Sequence, residues 1–320
     1  MGSVTSAFIT GIGGQDGSYL AEQLLADGIE VHGLARSTDD LELVPSGAVV
    51  HVGDVSDVLG VRRLLVELAP DQIYNLAALS SVAASWTEAD LNISINAAAA
   101  AGLIETAWQV QEQRGHSVAF VQPSSAEIFG NPATTPQDEQ TPIAPVNPYG
   151  AAKAFAHHMV GVYRSRGLHA SSLVLYNHES PRRPMQFVTR KITATVAAIA
   201  QGTATDLVLG NTAARRDWGW APDYVDAMVR AATQSEADDY VIATGRSHSV
   251  LDFVAATFDR VGIADWQGLV RSDPALVRPV DAVELCGDPS KARTRLGWSP
   301  TVSFVELVQA MVDHDLELLR

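Results

Sequence analysis

A tyrosine and a lysine whose side chains could act together in catalysis are Tyr149 and Lys153, four residues apart. In a helix this spacing brings both side chains onto one face. An ammonium beside a phenol stabilises the phenolate and lowers the pKa of the phenol. The tyrosine then becomes a base able to take a proton from a sugar hydroxyl while a hydride leaves the same carbon. The pair predicts this chemistry at the start of a helix.

A serine and a glutamate, Ser125 and Glu127, follow a predicted strand upstream of this pair. Ligands bind at the carboxyl ends of the strands in parallel sheets, so both side chains are candidates for catalysis. Ser125 could hydrogen-bond the reacting oxygen, and Glu127 could abstract a second proton. The alternative is that Ser124 and Ser125 cap a loop and that Glu127 is a solvated carboxylate. The convergence of serine, glutamate, tyrosine and lysine favours catalysis.

Three glycines, Gly11, Gly14 and Gly17, are spaced three residues apart between a predicted strand and a predicted helix. Such a turn lets the backbone approach a pyrophosphate closely, with the helix N-terminus facing the phosphates. The alternative is an ordinary tight turn. The strand before and the helix after are the context that a dinucleotide site requires, and this glycine spacing points towards short-chain dehydrogenase/reductase chemistry.

Arg36 stands at the end of the second predicted strand, where an acidic residue would bind the ribose 2′-hydroxyl of NAD. A guanidinium there favours a 2′-phosphate and therefore NADP, although Arg36 could also be a solvated charge at a strand end. Asp54, after the third strand, could accept a hydrogen bond from the adenine amino group or could be the N-cap of the next helix.

Six of the 22 basic residues lie between positions 182 and 216 of a chain that carries 37 acidic ones. Local basicity in an acidic protein indicates a site for an anion such as a diphosphate. No metal site is expected, because the nine histidines are scattered and the adjacent His157 and His158 cannot face one ion together. The single cysteine, Cys286, is expected to be a small buried residue.

The elements that must position these residues alternate between short apolar strands and longer helical patterns. This alternation predicts an α/β fold with a doubly wound parallel (Rossmann) sheet up to about residue 176. We expect a cofactor domain at residues 1–176 and a smaller, partly interleaved α/β substrate domain at residues 177–320, with possible return strands to the sheet. Residues 28–34 are predicted to be a turn entering the second strand. The other strands are predicted at 6–10, 49–52, 72–76, 117–122, 169–176, 206–209 and 240–243. Helices are predicted at 18–27, 58–68, 91–108, 149–166, 187–201, 224–234 and 304–319.

The net charge of −15 argues against a nucleic acid or an anionic membrane surface as a partner. Hydrophobic residues make up 47% of the chain, enough to bury a large core. No apolar stretch approaches the length of a membrane span, and the first six residues lack the basic region of a secretion signal. A cytoplasmic location is therefore expected.

With these residues identified, nearly the whole chain resembles the extended short-chain dehydrogenases/reductases, and within them the GDP-mannose 4,6-dehydratase family. The resemblance depends mainly on segments of the second half, which are more specific than the glycine turn. The matching segments are TGIGGQDGSYL (10–20), YNLAA (74–78), NPYGAAK (147–153), NHESPRR (177–183), FVTRKI (187–192), RDWG (216–219), YVIATG (240–245) and GDPSK (287–291).

The resemblance implies that the family's catalytic residues fall on Ser125, Glu127, Tyr149 and Lys153. It places the nucleotide-sugar contacts on Asn177, Lys191, Arg216 and Arg278, and we add Ser80. The expected cofactor site comprises Gly11, Gly14, Gln15, Asp16, Gly17, Arg36, Asp54, Val55, Leu76, Ala77, Tyr149 and Lys153. The cofactor is expected to be NADP and the substrate a nucleotide sugar, GDP-mannose or a close relative.

The implied reaction uses one bound NADP for two hydride transfers. Hydride leaves sugar C4 while Tyr149 takes the hydroxyl proton. Glu127 then removes the C5 proton and assists loss of the C6 hydroxyl as water. Return of the hydride to C6 gives a 4-keto-6-deoxy sugar.

Two other functions fit parts of this pattern. One is a nucleotide-sugar 4-epimerase or decarboxylase, which shares the tyrosine and the lysine, and the other is a regulatory protein that binds NADP without turnover. Leu79, Ser81, Trp220 and Pro222 also differ from the residues usual in the family, so the accepted hexose stays open. The resemblance implies a homodimer, and the short segment 37–48 disfavours a tetramer.

Overall fold

The computed structural model describes residues 4–320, the side chain of Asp40 aside. The first three residues, Met1, Gly2 and Ser3, lie outside the described residues. They are part of the six-residue segment in which the sequence shows no secretion signal. No helix within the described part of the chain is both long enough and apolar enough to cross a membrane.

A seven-stranded, fully parallel sheet forms the larger part of the fold, in the order β10-β6-β5-β4-β1-β2-β3. The expected doubly wound sheet is thereby confirmed. Strand order reverses between β1 and β4, the place where such sheets bind nucleotides. The strands are β1 (Ser6–Thr10), β2 (Glu30–Ala35), β3 (Val49–Val52), β4 (Gln72–Asn75), β5 (Ala119–Ser125), β6 (His169–Leu175) and β10 (Asp239–Ile242).

Helices cover both faces of this sheet, because its five inner strands bury apolar side chains on both of their sides. One face packs against α1 (Gln15–Ala26) and α7 (Ala221–Thr233). The other packs against α2 (Val58–Leu68), α4 (Ala100–Arg114) and α5 (Pro148–Ser165). We call the sheet with these helices and the short helix α3 (Ala89–Ile93) the sheet lobe.

The remaining elements form a second lobe with its own apolar core of aromatic and aliphatic side chains. Its central strand is β9 (Arg215–Trp220), which pairs with β7 (Asn177–Glu179), β11 (Ser247–Ser249) and β13 (Glu284–Leu285). Strands β8 (Leu207–Leu209) and β12 (Val270–Ser272) pair with each other. The helices are α6 (Val188–Ala200), α8 (Val250–Arg260) and α9 (Phe304–Leu318).

The chain returns from the second lobe to the sheet lobe for the stretch that contains α7 and β10. Strand β10 pairs with β6 and completes the sheet, while α7 packs against α1. Residues beyond 176 therefore supply one strand and one helix of the sheet lobe, and Ala292, Leu296 and Trp298 pack into the same core.

The expected helix at 91–108 is interrupted in the structure. It begins as α3, passes through a π-helical segment, Ser94–Ala99, and continues as α4 to Arg114. This π-helical segment places the Asn96 side chain against the loop that follows β4. Asn96 Oδ1 accepts from the Leu79 N–H at 3.1 Å, and Nδ2 donates to the Leu79 carbonyl at 2.9 Å.

Candidate active site

The glycine-rich turn joins β1 to α1 at the carboxyl edge of the sheet. Gly11 has a φ of +70°, and a Cβ there would lie 2.9 Å from the backbone nitrogen of Ala77. A Cβ on Gly17 would overlap the Gly11 carbonyl. Helix α1 begins after Gly14 without a side-chain cap. An uncapped helix N-terminus above a close-packed glycine turn fits a pyrophosphate, so the turn is suited to a dinucleotide.

Arg36 and Asp54 lie next to each other beyond the ends of β2 and β3. Arg36 is exposed, and its charge helps to lower the pKa of the Asp54 carboxyl. The larger causes of that lowering are the hydrogen bonds that Asp54 accepts from the Ser56 N–H at 2.8 Å and hydroxyl at 2.7 Å. Asp57, not Asp54, is the N-cap of α2, so the alternative role for Asp54 was wrong.

The loop after β4 carries three further residues expected in the site. Ala77 donates its N–H to the Thr10 hydroxyl at 3.0 Å, which fixes Leu76 and Ala77 against the glycine turn. Ser80 is exposed farther along the loop. Val55 follows β3 and is buried in the apolar core between the sheet and helices α2, α4 and α5.

Ser125 and Glu127 occupy the end of β5 and the 3₁₀ turn that follows it, Ala126–Phe129. Ser125 accepts a hydrogen bond from the Glu127 N–H at 3.3 Å, so it does cap this turn. Its hydroxyl is also hydrogen-bonded to the Tyr149 phenol. Glu127 is only 9% exposed, which makes the solvated-carboxylate interpretation wrong. The serine therefore contributes both to the turn and to the candidate catalytic cluster.

Tyr149 and Lys153 are both buried on the first two turns of α5. The Lys153 ammonium lies 5.9 Å from the centre of the phenol ring and donates to the Pro123 carbonyl at 3.0 Å. Burial lowers the pKa of Lys153 to about 8. Burial raises the pKa of Tyr149 to about 12, and the Glu127 charge adds a smaller increase. The Ser125 hydroxyl lowers the pKa of the phenol, but by less than burial raises it. The expected lowering of the phenol pKa is therefore not found, because desolvation outweighs the neighbouring charges.

Asn147 is a residue of this cluster that the sequence reasoning missed. It is the N-cap of α5, where its Oδ1 accepts from the Gly150 N–H at 2.7 Å. Its Nδ2 donates to Glu127 Oε2, also at 2.7 Å. The Asn-Pro dipeptide before the helix is a recognisable start signal that could have identified the cap, although not its second partner.

Asp16 and His178 form an ion pair between the two lobes, which the sequence reasoning also missed. His178 Nε2 lies 2.9 Å from Asp16 Oδ2, and Nδ1 lies 2.8 Å from the Tyr176 carbonyl oxygen. Both partners are acceptors, so the ring carries two protons and a positive charge. Asp16 is the main reason that the pKa of His178 is raised despite burial. His178 in turn holds the pKa of Asp16 below its usual value, against the effect of burial.

Gln15, beside Asp16, connects the same turn to the second lobe. Its side-chain amide donates to the His178 carbonyl at 3.2 Å and its oxygen accepts from the Ser180 hydroxyl at 2.9 Å. The glycine turn is thus held to β7 and to the segment after it.

The basic segment 182–216 is largely neutralised by carboxylates. Arg190 pairs with Asp315 inside the second lobe, so it is not available to a ligand. Arg182, Arg183, Arg215 and Arg216 pair with Glu22, Glu179, Glu284 and Asp281, respectively. Among the residues that the structure describes, Lys191 has no ion-pair partner. The positive charge open to an anion is therefore smaller than the sequence indicates.

Arg216 and Arg278 share one counter-ion. Both guanidinium groups contact Asp281 Oδ1, at 2.6 Å and 3.2 Å, and Arg216 is otherwise held by the Arg215 and Ala282 carbonyls. Asn177 begins β7, directly before His178, and Lys191 lies in the first turn of α6. The structure therefore brings the two arginines together.

Neither a metal cluster nor a reactive thiol is part of this region. No three His, Cys, Asp or Glu side chains within residues 4–320 are grouped so that they could hold a metal ion. Cys286 is buried, and burial raises the pKa of its thiol to about 12.

Comparison with known proteins identifies close relatives. The sequence profile described as GDP-mannose 4,6 dehydratase matches residues 8–311. GDP-mannose 4,6 dehydratase 1 of Arabidopsis thaliana is 43% identical over 328 residues, covering 98% of this chain and 90% of that protein. The GDP-mannose 4,6-dehydratase of Vibrio cholerae is 38% identical, with 98% of this chain and 94% of that protein covered.

Solved structures resemble the fold over nearly its full length. A UDP-glucose 4-epimerase of Thermotoga maritima superposes with a TM-score of 0.88 at 23% identity, covering 99% of this chain and 100% of the epimerase. At that identity the likeness shows the fold alone.

Proposed function

The chain belongs to the GDP-mannose 4,6-dehydratase family, and from this membership we propose that it is an NADP-dependent enzyme that converts GDP-mannose to GDP-4-keto-6-deoxymannose. The single observation that carries the proposal is the buried carboxylate of Glu127 beside the Tyr149 phenol. A carboxylate at this place supplies the second base that dehydration needs and that oxidation of a hydroxyl alone does not.

Tyr149 is the group that exchanges a proton with the sugar C4 hydroxyl. The Ser125 hydroxyl is hydrogen-bonded to the phenol and would also hydrogen-bond the sugar C4 hydroxyl, which orients that hydroxyl towards Tyr149. In the protein without ligands the Tyr149 phenol keeps its proton at neutral pH, because burial raises its pKa to about 12. It must therefore lose that proton as the ligands bind. The nearby Arg183 charge favours the phenolate, and the positively charged nicotinamide ring of oxidised NADP would act in the same direction.

Glu127 takes the C5 proton after C4 has become a ketone, because the ketone makes that proton acidic. The same carboxyl group, now protonated, can give its proton to the departing C6 hydroxyl, which leaves as water. One side chain thus serves first as base and then as acid, and it ends the elimination in its starting state.

The nucleotide cofactor is NADP, and the residues that would hold it fit the group. The glycine turn and the first turn of α1 would contact the pyrophosphate, and Arg36 would pair with the 2′-phosphate. Asp54, Val55, Leu76 and Ala77 follow β3 and β4 at the same edge of the sheet and would line the adenosine part of the cofactor. When bound, NADP supplies the hydride acceptor for C4 and the hydride donor for C6.

The second lobe would hold the nucleotide diphosphate. Arg216 and Arg278 share the single carboxylate of Asp281, which leaves one net positive charge there, and Lys191 adds a charge with no carboxylate partner within the described residues. Asn177 at the start of β7 and Ser80, exposed on the loop after β4, would add hydrogen bonds to the substrate.

Product analysis tests this function directly. The purified chain is incubated with GDP-mannose and NADP, and the nucleotide sugar is examined by mass spectrometry and NMR. We expect a product that has lost one water and carries a 4-keto group and a C6 methyl group, with no net consumption of NADP. A product of unchanged mass and inverted C4 would identify an epimerase and contradict the proposal. The Tyr149→Phe variant is the inactive control.

The same membership suggests that the chain works as a homodimer. Helices α3 and α5 lie side by side and expose large apolar residues, Leu91 and Ile93 on α3 and Phe155 and Val162 on α5. Phe155 and Val162 are seven residues apart and so lie on one stripe of the helix. Such a patch is suited to burial against a second copy of the same chain.

A further inference from the structure

We infer that Asn147 is a positioning residue for Glu127. One amide group holds the Glu127 carboxylate in place and also caps α5, the helix that carries Tyr149 and Lys153. The inference rests on the proposed function, since it concerns the base that acts at C5. Nothing in the reaction requires Asn147 to touch the substrate.

Both ends of the Asn147 amide are occupied. Oδ1 accepts from the Gly150 N–H and Nδ2 donates to Glu127 Oε2, each at 2.7 Å. A carboxamide has its acceptor at one end and its donors at the other. Because the helix N-terminus offers only N–H groups, the oxygen must face the helix and the NH₂ group must face Glu127. The capping contact therefore sets the direction of the donor, and the side chain is buried, with 6% exposure.

A second contact joins the helix to the Glu127 segment. A Cβ on Gly150 would lie 2.5 Å from the Glu127 carbonyl oxygen, so the first turn of α5 rests directly on that backbone. Tyr149 lies in this same turn. The distance between the phenol and the carboxylate is thus fixed by one rigid unit made of Asn147, Gly150 and the Glu127 turn.

The hydrogen bond from Asn147 places a neutral donor against the Glu127 carboxylate. This matters because the other groups around the cluster are mixed in charge. The Tyr149 phenol and Lys153 face it from α5, Asp16 from the start of α1, Arg183 from the segment after β7, and the Ser125 hydroxyl from β5. The Asn147 amide is a neutral hydrogen-bond donor, and it does not change its protonation state over the pH range in which the enzyme would work.

Replacing Asn147 by Asp separates positioning from capping. Aspartate is as good an N-cap as asparagine, so α5 should begin as before. It has no N–H to donate, and its second oxygen would face Glu127 at hydrogen-bond distance. Two carboxyl groups so close share one proton and titrate as a pair, so Glu127 becomes free to act as a base only at higher pH.

The expected result for Asn147→Asp is a normal first step and a slow elimination. Under single-turnover conditions with NADP and GDP-mannose, reduced nicotinamide should appear at the wild-type rate. Its disappearance and the loss of water should slow by at least ~10-fold near pH 7. The elimination rate should recover as pH rises, over a range above that of the wild type.

Asn147→Ser is the matched control, because serine caps the helix but is too short to reach Glu127. It should melt within a few degrees of the wild type and slow elimination without the pH shift of Asn147→Asp. A wild-type elimination rate and pH profile in Asn147→Asp would overturn the inference. So would loss of the first step together with a lower melting temperature in both variants, which would show that Asn147 supports the fold of the whole site and does not act on Glu127 in particular.

The function and the inference fail in different ways. If the wild-type chain does not dehydrate GDP-mannose, the proposed function is wrong and the inference falls with it. If the wild type dehydrates GDP-mannose and Asn147→Asp behaves like it, only the inference is wrong.

Discussion

The Glu127 carboxyl group lies in a place nearly closed to water. Burying a carboxylate is unfavourable unless hydrogen bonds compensate for its lost solvation, and Asn147 supplies one such bond. A charge kept at this cost contributes little to the stability of the fold. We therefore expect its replacement to affect the chemistry much more than the folding.

The Glu127→Gln variant should stop the reaction halfway. Glutamine keeps the shape of the side chain and can accept the hydrogen bond from Asn147, but it cannot take the C5 proton. Oxidation at C4 should survive and elimination should slow by about 10²- to 10⁴-fold. In a single turnover we expect lasting absorbance of reduced nicotinamide and a 4-keto hexose that retains its C6 hydroxyl. Tyr149→Phe should show neither, and normal turnover by Glu127→Gln would assign the carboxylate a structural role.

Arg36 should set the choice between the two nicotinamide nucleotides. Arg36 directly follows β2, the strand end that binds the ribose 2′ group in dinucleotide sites, and no acidic residue occupies this position to bind a 2′-hydroxyl. We expect the wild type to bind NADP more tightly than NAD in a fluorescence titration. In Arg36→Ala the affinity for NADP should fall while that for NAD changes little. Equal affinities in the wild type would contradict this assignment.

At the scale of elements, the ion pair of Asp16 and His178 connects the first turn of α1 to β7. The imidazole ring also stacks on Tyr224 of α7 at 4.7 Å between ring centres. Three elements from both lobes therefore meet at one histidine. The position of the glycine turn relative to the second lobe depends on this contact.

This pair should make the stability of the ligand-free chain depend on pH. The pKa of His178 is raised above 6.5, so its contribution is complete below pH 6.5 and is lost as pH rises through the folded pKa. The pKa of Asp16 is lowered below 3.8, so its contribution is present above pH 3.8 and is lost as pH falls. Between these limits His178→Gln should cost about 1–3 kcal/mol in the free energy of unfolding.

Chemical denaturation of the wild type and His178→Gln at a series of pH values measures this effect. The difference between them should be largest from pH 3.8 to 6.5 and should shrink as pH rises further. The His157→Gln variant is a useful comparison, because burial lowers the pKa of His157 whereas the pKa of His178 is raised. A difference for His178→Gln that is constant from pH 5 to 9 would show that the ring contributes by packing alone.

The sequence predicted the elements of the sheet lobe better than those of the second lobe. Strand β3 and helix α2 have the predicted bounds, because apolar periodicity and turn residues agree there. Strand β9 was missed because it contains two arginines, an aspartate and a glycine, and its partners lie far away in sequence. Helix α8 was missed although it begins with a capping box, Ser249 and Asp252, that marks a helix start.

The candidate site was predictable where a short motif carries the chemistry. Glu127, Tyr149 and Lys153 lie on adjacent elements, and the order of strands brings them together. The contacts of Asn147 with Glu127 and of Asp16 with His178 span 20 and 162 residues. No local pattern indicates such pairs, because they depend on how loops and lobes pack. The neutralisation of the arginines by carboxylates was hidden for the same reason.

For the whole molecule, the exposed apolar residues of α3 and α5 predict a dimer. Light scattering at micromolar concentration should give the mass of two chains. The double variant Phe155→Asp, Val162→Asp should give the mass of one chain, because two charges per copy would have to be buried. Leu318→Asp, at an exposed apolar residue of α9, should leave the mass unchanged. A tetrameric mass for the wild type would contradict the prediction.

The return of α7 and β10 to the sheet limits how genes of this kind can recombine. A crossover near codon 176 would exchange the substrate lobe together with the edge strand and a covering helix of the other lobe. Mismatched partners would leave the β6 edge badly paired, and an open edge invites aggregation. Functional chimeras therefore need crossovers on both sides of residues 221–242, so that substrate specificity is inherited as two separate gene segments.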